Sequence, residues 1–179
     1  DIAGPSLPDF VLEKVPMVPL EGEWKRSGAG AAGVRHTKRH EEPRYDHPFF
    51  QEAFAEMIGL LAAELDGGPL VEYVDTCMYG FWGEGHTWPY RGHSFPDAAT
   101  AEATFVRMFE VQLEHWKRTP LVTNTQPDWS RVGNSELVDR TVRSHNWLRT
   151  DTIFVENEQI EAISNRPPAI SICSLTSSR

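Results

Sequence analysis

A helix that ends at a pair of glycines and leads into an apolar strand limits the fold of this chain most. The helical stretch, DHPFFQEAFAEMIGLLAAELDGG, covers 46–68, and PLVEYVDTCMYGF follows over 69–81. Asp46 is predicted to cap the helix, and Pro48 suits its first turn. The predicted buried stripe is apolar at helical spacing: Phe50, Phe54, Met57, Ile58, Leu61 and Leu65. The strand is apolar on both faces, which indicates a strand covered on both sides, as in a parallel sheet.

The alternation of helix and strand continues along the chain. A second amphipathic helix is predicted over 97–118, with Asp97 as its cap, and a strand follows at 119–124. Three less regular segments come next: a helix at 134–148 and strands at 147–155 and 167–173. Helices that alternate with strands predict βαβ units and a parallel sheet.

The first 46 residues are predicted to be a long loop. Pro16 and Pro19, in the apolar piece VPMVPL, argue against a central strand, so at most one short helix or edge strand is expected. The basic run RHTKR is followed at once by two glutamates and is predicted to be a solvated loop.

Charge and composition exclude several classes of function. The formal net charge is −9, which disfavours nucleic acid as a partner because phosphate binding needs a basic face. The longest apolar runs are far shorter than the ~18 residues of a spanning helix, so no membrane span is predicted. Cys77 and Cys173 form no metal-binding pattern, and Cys77 is predicted to be a small core residue. No cofactor and no metal are predicted.

Polar and aromatic side chains collect where three predicted strands end. Glu84 follows the first strand, inside YGFWGEGHTWPY. The other predicted pocket residues follow these strands: Trp82, His86, Trp88, Asn124, Gln126, Arg149 and Asp151. Because the carboxyl ends of parallel strands share one edge, these side chains are expected at a common rim. Aromatic faces stack on apolar ligand faces while carboxylates and amides bind hydroxyls, so the rim predicts a carbohydrate ligand.

The run PRYDHPFFQEAFAEMIGLLAAELDGGPLVEYVDTCMYGFWGEGH resembles the middle of clan-A, β-galactosidase-like glycoside-hydrolase barrels. In that group the acid/base glutamate follows the fourth strand in contexts such as GxWGEWH, and GFWGEGH puts Glu84 at that position. The resemblance covers roughly residues 7–165. It implies an α/β fold, a partial (incomplete) (β/α)8 TIM-type barrel with parallel strands, since such barrels need about 250 residues. The single domain would span 1–179, irregular to 46, alternating over 47–165, with a tail at 166–179.

The resemblance further implies a glycoside hydrolase that acts on a carbohydrate, with Glu84 as general acid/base. It also implies a nucleophile glutamate on a later strand, but no carboxylate follows Glu161, so the second carboxylate is expected outside this chain. Asp75, inside the first strand, is predicted to be a structural, hydrogen-bonded residue. A part-barrel exposes two sheet edges, so self-association or missing chain segments are expected.

Two other functions stay open at this stage. One is a non-catalytic carbohydrate-binding domain that keeps the aromatic rim without turnover. The other is a metal-assisted hydrolase that uses Glu84, His86 and His93.

Overall fold

The structure, a computed structural model, describes residues 7–25, 35–80, 83–87, 90–124, 140–150 and 171–173. The elements in these ranges follow the order α1 (Asp9–Leu12), β1 (Met17–Lys25), β2 (Arg35–Pro43), α2 (Pro48–Leu65), β3 (Val74–Asp75), β4 (Tyr90–Arg91), α3 (Ala98–His115), β5 (Leu121–Asn124), β6 (Trp147–Thr150) and β7 (Ser171–Cys173). A helical turn at 140–143 precedes β6.

An antiparallel sheet of order β2-β1-β4 occupies the region that was predicted to be a loop. β1 pairs with β2 from Met17↔Pro43 to Lys25↔Arg35, and among the described residues it pairs with β4 at Glu21 and Gly22. The loop prediction for this region is therefore wrong. Pro19 is tolerated in the middle strand because β4 pairs with β1 only beyond it. The stacked rings of His40 and Tyr90, with centroids 4.5 Å apart, connect the two outer strands.

A parallel sheet of order β3-β5-β6-β7 is the second sheet of the structure. The predicted strands at 119–124, 147–155 and 167–173 are confirmed over 121–124, 147–150 and 171–173 by β5, β6 and β7. The strand predicted over 69–81 shortens to Val74 and Asp75, which pair with β5 on one side. Leu70 is almost fully exposed, so the expected cover on both faces is wrong for the first half of this segment.

The predicted part-barrel is wrong. The chain is a mixed α/β protein in which the described strands form one open parallel sheet and one separate antiparallel sheet, and no barrel closes among them. Barrel closure requires strand tilt and register that bring the first strand back to the last. Periodicity along a chain predicts strands and their burial, but it carries no information on that closure.

Both long helices are confirmed, with one of the two predicted caps. The Asp97 carboxylate accepts a hydrogen bond from the Thr100 amide at 2.7 Å and caps α3. Asp46 does not cap α2: it forms a two-point ion pair with Arg44, at 2.8 and 2.7 Å, and Pro48 begins the helix.

The end of α2 is attached to the turn that follows α3 by Asp66. Its buried carboxylate accepts hydrogen bonds from the amides of Lys117, Arg118 and Thr119 at 3.1, 2.9 and 2.7 Å. Burial raises the pKa of Asp66, but the three amides outweigh it and lower the pKa to about 2. The two helices are thus held in register at the end of the sheet where β5 begins.

The core lies between α2, α3 and the first strands of the parallel sheet. α3 buries Phe105, Met108 and Phe109, which are at most 3% exposed. α2 buries Phe50, Phe54, Ile58 and Ala62, whereas three residues of its predicted stripe are exposed by about two-fifths: Met57, Leu61 and Leu65. Of the helices that the structure describes, none has the length and apolar character to cross a bilayer.

Candidate functional site

A pocket of about 220 Å³ opens at the carboxyl ends of β3, β5 and β6. The residues that line it come from these strand ends and from the loop after β3: Asp75, Thr76, Cys77, Met78, Gly83, Glu84, Thr123, Asn124 and Arg149. The pocket therefore lies where parallel α/β sheets generally bind ligands.

The register of the parallel sheet aligns three of the lining residues. Asn124 of β5 is the pairing partner of Arg149 of β6, so their side chains leave the sheet on the same face. Asp75 of β3 pairs with Val122, two residues before Asn124, which puts Asp75 on that face as well.

Glu84 points at these strand ends from the loop after β3. One of its carboxylate oxygens, Oε1, accepts a hydrogen bond from Asn124 Nδ2 at 3.2 Å and lies 3.5 Å from Arg149 Nη2. The other, Oε2, lies 3.1 Å from Nε2 of the buried His86. The side chain is 20% exposed, so the carboxyl group is held by three protein groups while one part of it faces the pocket.

Glycine turns give the loop that carries Glu84 its shape. The Met78 amide donates to the Gly83 carbonyl at 2.8 Å, and the Gly85 amide donates to the Tyr79 carbonyl at 2.9 Å. Gly80 has a positive φ, and its amide donates to the Tyr45 hydroxyl at 3.0 Å. Because both ends of the loop are bonded to the core, Glu84 has a defined position relative to the sheet.

Asp75 and Arg149 form the second charged pair of the pocket. Arg149 Nε donates to Asp75 Oδ2 at 2.8 Å, and the Arg149 side chain is only 13% exposed. One guanidinium therefore contacts Asp75 and Glu84 at once. Asp75 is hydrogen-bonded, as predicted, and it also lies on the pocket wall, a position that depends on the register with β5.

A glutamine of α3 supports the strand that carries the pocket. The buried Gln112 side chain accepts from the Cys77 amide at 2.8 Å and donates to the Cys77 carbonyl at 2.9 Å. These two bonds replace the pairing that a neighbouring strand would provide. Cys77 itself is exposed and lines the pocket, so its predicted core position is wrong. No sequence signal marked Gln112.

A buried carboxyl group lies behind His86. Glu42 of β2 is fully buried, and its Oε1 lies 3.0 Å from His40 Nε2. Burial raises the pKa of Glu42, although the Tyr45 hydroxyl and the imidazoles of His40 and His86 act against it. Burial also raises the pKa of Tyr45 well above its ordinary value, and the charge of Glu42 adds to that effect.

The structure brings together half of the residues predicted for the site. His86, Asn124 and Arg149 each contact Glu84. The other four lie outside the described residues: Trp82, Trp88, Gln126 and Asp151. Their predicted roles stay predictions, and so does the aromatic face of the ligand.

The contacts do not support the metal interpretation. His93 Nδ1 lies 3.1 Å from the Phe95 carbonyl oxygen, whereas His86 contacts Glu84. Within the described ranges no three His, Cys, Asp or Glu side chains converge on a position that could hold a metal ion.

The fold and the site define a class of protein: a mixed α/β chain whose parallel strands end at a pocket lined by two carboxylates, an amide and a guanidinium. No protein family, characterised protein or solved structure shows significant similarity to the chain. Functional inference therefore depends on the chemistry of the pocket and on the resemblance in GFWGEGH.

Proposed function

We propose that the protein hydrolyses a glycosidic bond, with Glu84 as the general acid/base. The observation that carries the proposal is the position of Glu84, held by His86 and Asn124 with its carboxyl group partly open to the pocket. The local resemblance of GFWGEGH to the acid/base segment of clan-A glycoside hydrolases points to the same residue.

The chemistry of the pocket suits this reaction. As the glycosidic C–O bond breaks, Glu84 gives a proton to the leaving oxygen. Water then bonds to the anomeric carbon and loses a proton to the Glu84 carboxylate, which restores its acid form. The Asn124 side-chain amide and the Arg149 guanidinium line the pocket, and groups of this kind hold sugar hydroxyls. His86, in contact with Glu84 Oε2, can accept or donate a hydrogen bond as the carboxyl group gains and loses its proton.

Replacement of Glu84 by glutamine tests the proposal. Aryl glycosides of several sugars are incubated with the wild type and with Glu84→Gln, and release of the aryl group is measured. We expect the substitution to lower kcat/KM by about 10²- to 10⁴-fold on substrates whose leaving group needs protonation, with sugar binding retained. Glu72→Gln, an exposed glutamate on the segment before β3, is the matched control and should keep full activity.

A carbohydrate-binding function without turnover is the second candidate, and one contact favours it. Arg149 and Asn124 both stabilise an ionised Glu84, whereas an acid catalyst must start protonated. A wild type that binds sugars in calorimetry but hydrolyses none of the panel supports this candidate. Full activity in Glu84→Gln would show that another group is the acid.

A further inference from the structure

The guanidinium of Arg149 is shared unequally between two carboxylates. Its Nε lies 2.8 Å from Asp75 Oδ2, while its Nη2 lies 3.5 Å from Glu84 Oε1. Both nitrogens belong to one planar, permanently charged group, so whatever draws the guanidinium toward Asp75 weakens its contact with Glu84. The strand register holds Asp75, Asn124 and Arg149 on one face, which makes this arrangement a property of the sheet.

We infer that Asp75 is a positioning residue that acts on Glu84 through Arg149, and that it leaves Glu84 able to carry the proton which the proposed reaction delivers. The inference deepens the proposed function and, as an account of catalysis, rests on it. A cation beside a carboxylate favours the ionised form, and a general acid next to an unshared arginine would hold its proton poorly at neutral pH. Asp75 neutralises that cation at the closer distance.

The described groups in contact with Glu84 are an imidazole, an amide and a guanidinium. From the loop itself His86 contacts Glu84 Oε2, from β5 Asn124 donates to Oε1, and from β6 Arg149 supplies the positive charge. Glu42 interacts electrostatically with His86, and Cys77 lines the pocket. Among these described neighbours, Asp75 is the carboxylate bonded directly to Arg149.

A titration of Glu84 tests the inference without any need for hydrolysis. The protein is labelled with ¹³C at glutamate carboxyl carbons, and the Glu84 signal is assigned by its loss in Glu84→Gln. We expect Asp75→Asn to lower the titration midpoint of Glu84 by about one pH unit, because the full charge of Arg149 then faces it. Asp75→Glu, which keeps the carboxylate, should stay near the wild type.

A double-mutant cycle separates the route through Arg149 from direct repulsion between the two carboxylates. Arg149→Gln should raise the Glu84 midpoint, and in that background Asp75→Asn should have a clearly smaller effect than in the wild type. If thermal unfolding shows that Arg149→Gln does not fold, Arg149→Lys, which keeps the charge, replaces it. Arg149→Lys should weaken the coupling between Asp75 and Glu84, because an ammonium lacks the planar fork with which a guanidinium contacts two carboxylates. An equal effect of Asp75→Asn in both backgrounds, or a midpoint that does not fall, overturns the inference.

Activity adds a readout that distinguishes this inference from the proposed function. If the wild type hydrolyses aryl glycosides, the alkaline limb of its pH profile should move to lower pH in Asp75→Asn and not in Glu72→Gln. Rescue of Asp75→Asn by azide, with formation of a glycosyl azide, would mark Asp75 as a group that attacks the sugar and would overturn the positioning role. If no sugar is hydrolysed, the proposed function fails, and the titrations still decide whether Asp75 controls Glu84.

Discussion

At the scale of single residues, Glu42 is a carboxyl side chain whose ionised form is disfavoured by folding. It is fully buried, and its nearest partner is the imidazole of His40, 3.0 Å from Oε1. Removal of a carboxylate from water disfavours its charged form, and this effect exceeds the help from Tyr45 and His40, so burial raises its pKa. A carboxyl group whose pKa rises on folding lowers stability as the pH climbs above its usual value.

Glu42→Gln should therefore stabilise the protein at neutral pH. The folded wild type binds the Glu42 proton more tightly than the unfolded chain does, so its stability falls as the pH rises above 4.5, the ordinary pKa of the group. Glutamine keeps the shape without the charge, and we expect a Tm at pH 7 that is about 2–4 °C higher, with the gain vanishing below pH 4. Thermal unfolding followed by circular dichroism measures this. Glu41→Gln, the exposed neighbour, is the control, and a lower Tm in Glu42→Gln would contradict the account.

At the scale of elements, the loop between β3 and β4 and the turn after β4 contain glycines with a positive φ, which other residues adopt at a cost. Gly80 adopts φ +98°, a region that side chains with a Cβ avoid, and an added Cβ would overlap the carbonyl oxygen of His86. Gly92, with φ +85°, has the same backbone requirement, but its nearest neighbour, Leu20 Cδ2, would lie 3.9 Å from an added Cβ. The two positions separate backbone strain from steric overlap.

Alanine at these two glycines should have unequal effects. Gly92→Ala carries only the left-handed penalty of about 1–2 kcal/mol. Gly80→Ala adds an overlap with backbone, a further ~1–3 kcal/mol, and should displace the loop that carries Glu84. Urea unfolding gives both free energies, and the ¹³C signal of Glu84 reports the displacement. Equal losses of stability in the two variants would mean that the backbone at Gly80 rearranges to avoid the overlap at no measurable cost.

At the scale of the whole molecule, one cluster of buried side chains connects the N-terminal segment, both long helices and the site loop. It runs from Val11 and Val15 through Tyr45 and the helices to Tyr79, which lies in the loop between β3 and β4. Phe109, fully buried on α3, lies in this cluster. Because the cluster includes both long helices and Leu121 of the parallel sheet, its disruption should weaken the helices and that sheet together.

Phe109→Ala should lower the free energy of unfolding by about 3–5 kcal/mol, since it leaves a cavity in a packed core. Urea unfolding should shift equally when followed by circular dichroism and by tyrosine and tryptophan fluorescence, because helices and aromatic core unfold as one unit. Leu60→Ala, a side chain 66% exposed on α2, should change stability by less than ~0.5 kcal/mol. Two separate transitions in Phe109→Ala would show that the helices and the aromatic core unfold independently.

Local pattern predicted those parts of the fold that depend on neighbours in sequence. The 3.6-residue period located both long helices, and Asp97 was recognisable as a cap because its partner, Thr100, is three residues away. The apolar stripe of α2 was predicted too wide, since periodicity identifies apolar positions and not which of them another element covers. Glu42 shows the same limit: in a strand, alternate residues face opposite sides, so of two adjacent glutamates one is exposed and the other buried.

The sequence by itself determined where the two long helices and the strands of the parallel sheet form, and that Glu84, in its glycine-rich loop, follows a strand of that sheet. The tertiary structure alone decided that the sheet stays open among the described strands, and that Asp75 meets Arg149 from 74 residues away. The physical reason is the separation in sequence over which each interaction acts. Capping, periodicity and turn chemistry act within a few residues, whereas the charges that surround Glu84 are set by strand register and by the packing of α3 against the sheet, which no local stretch encodes.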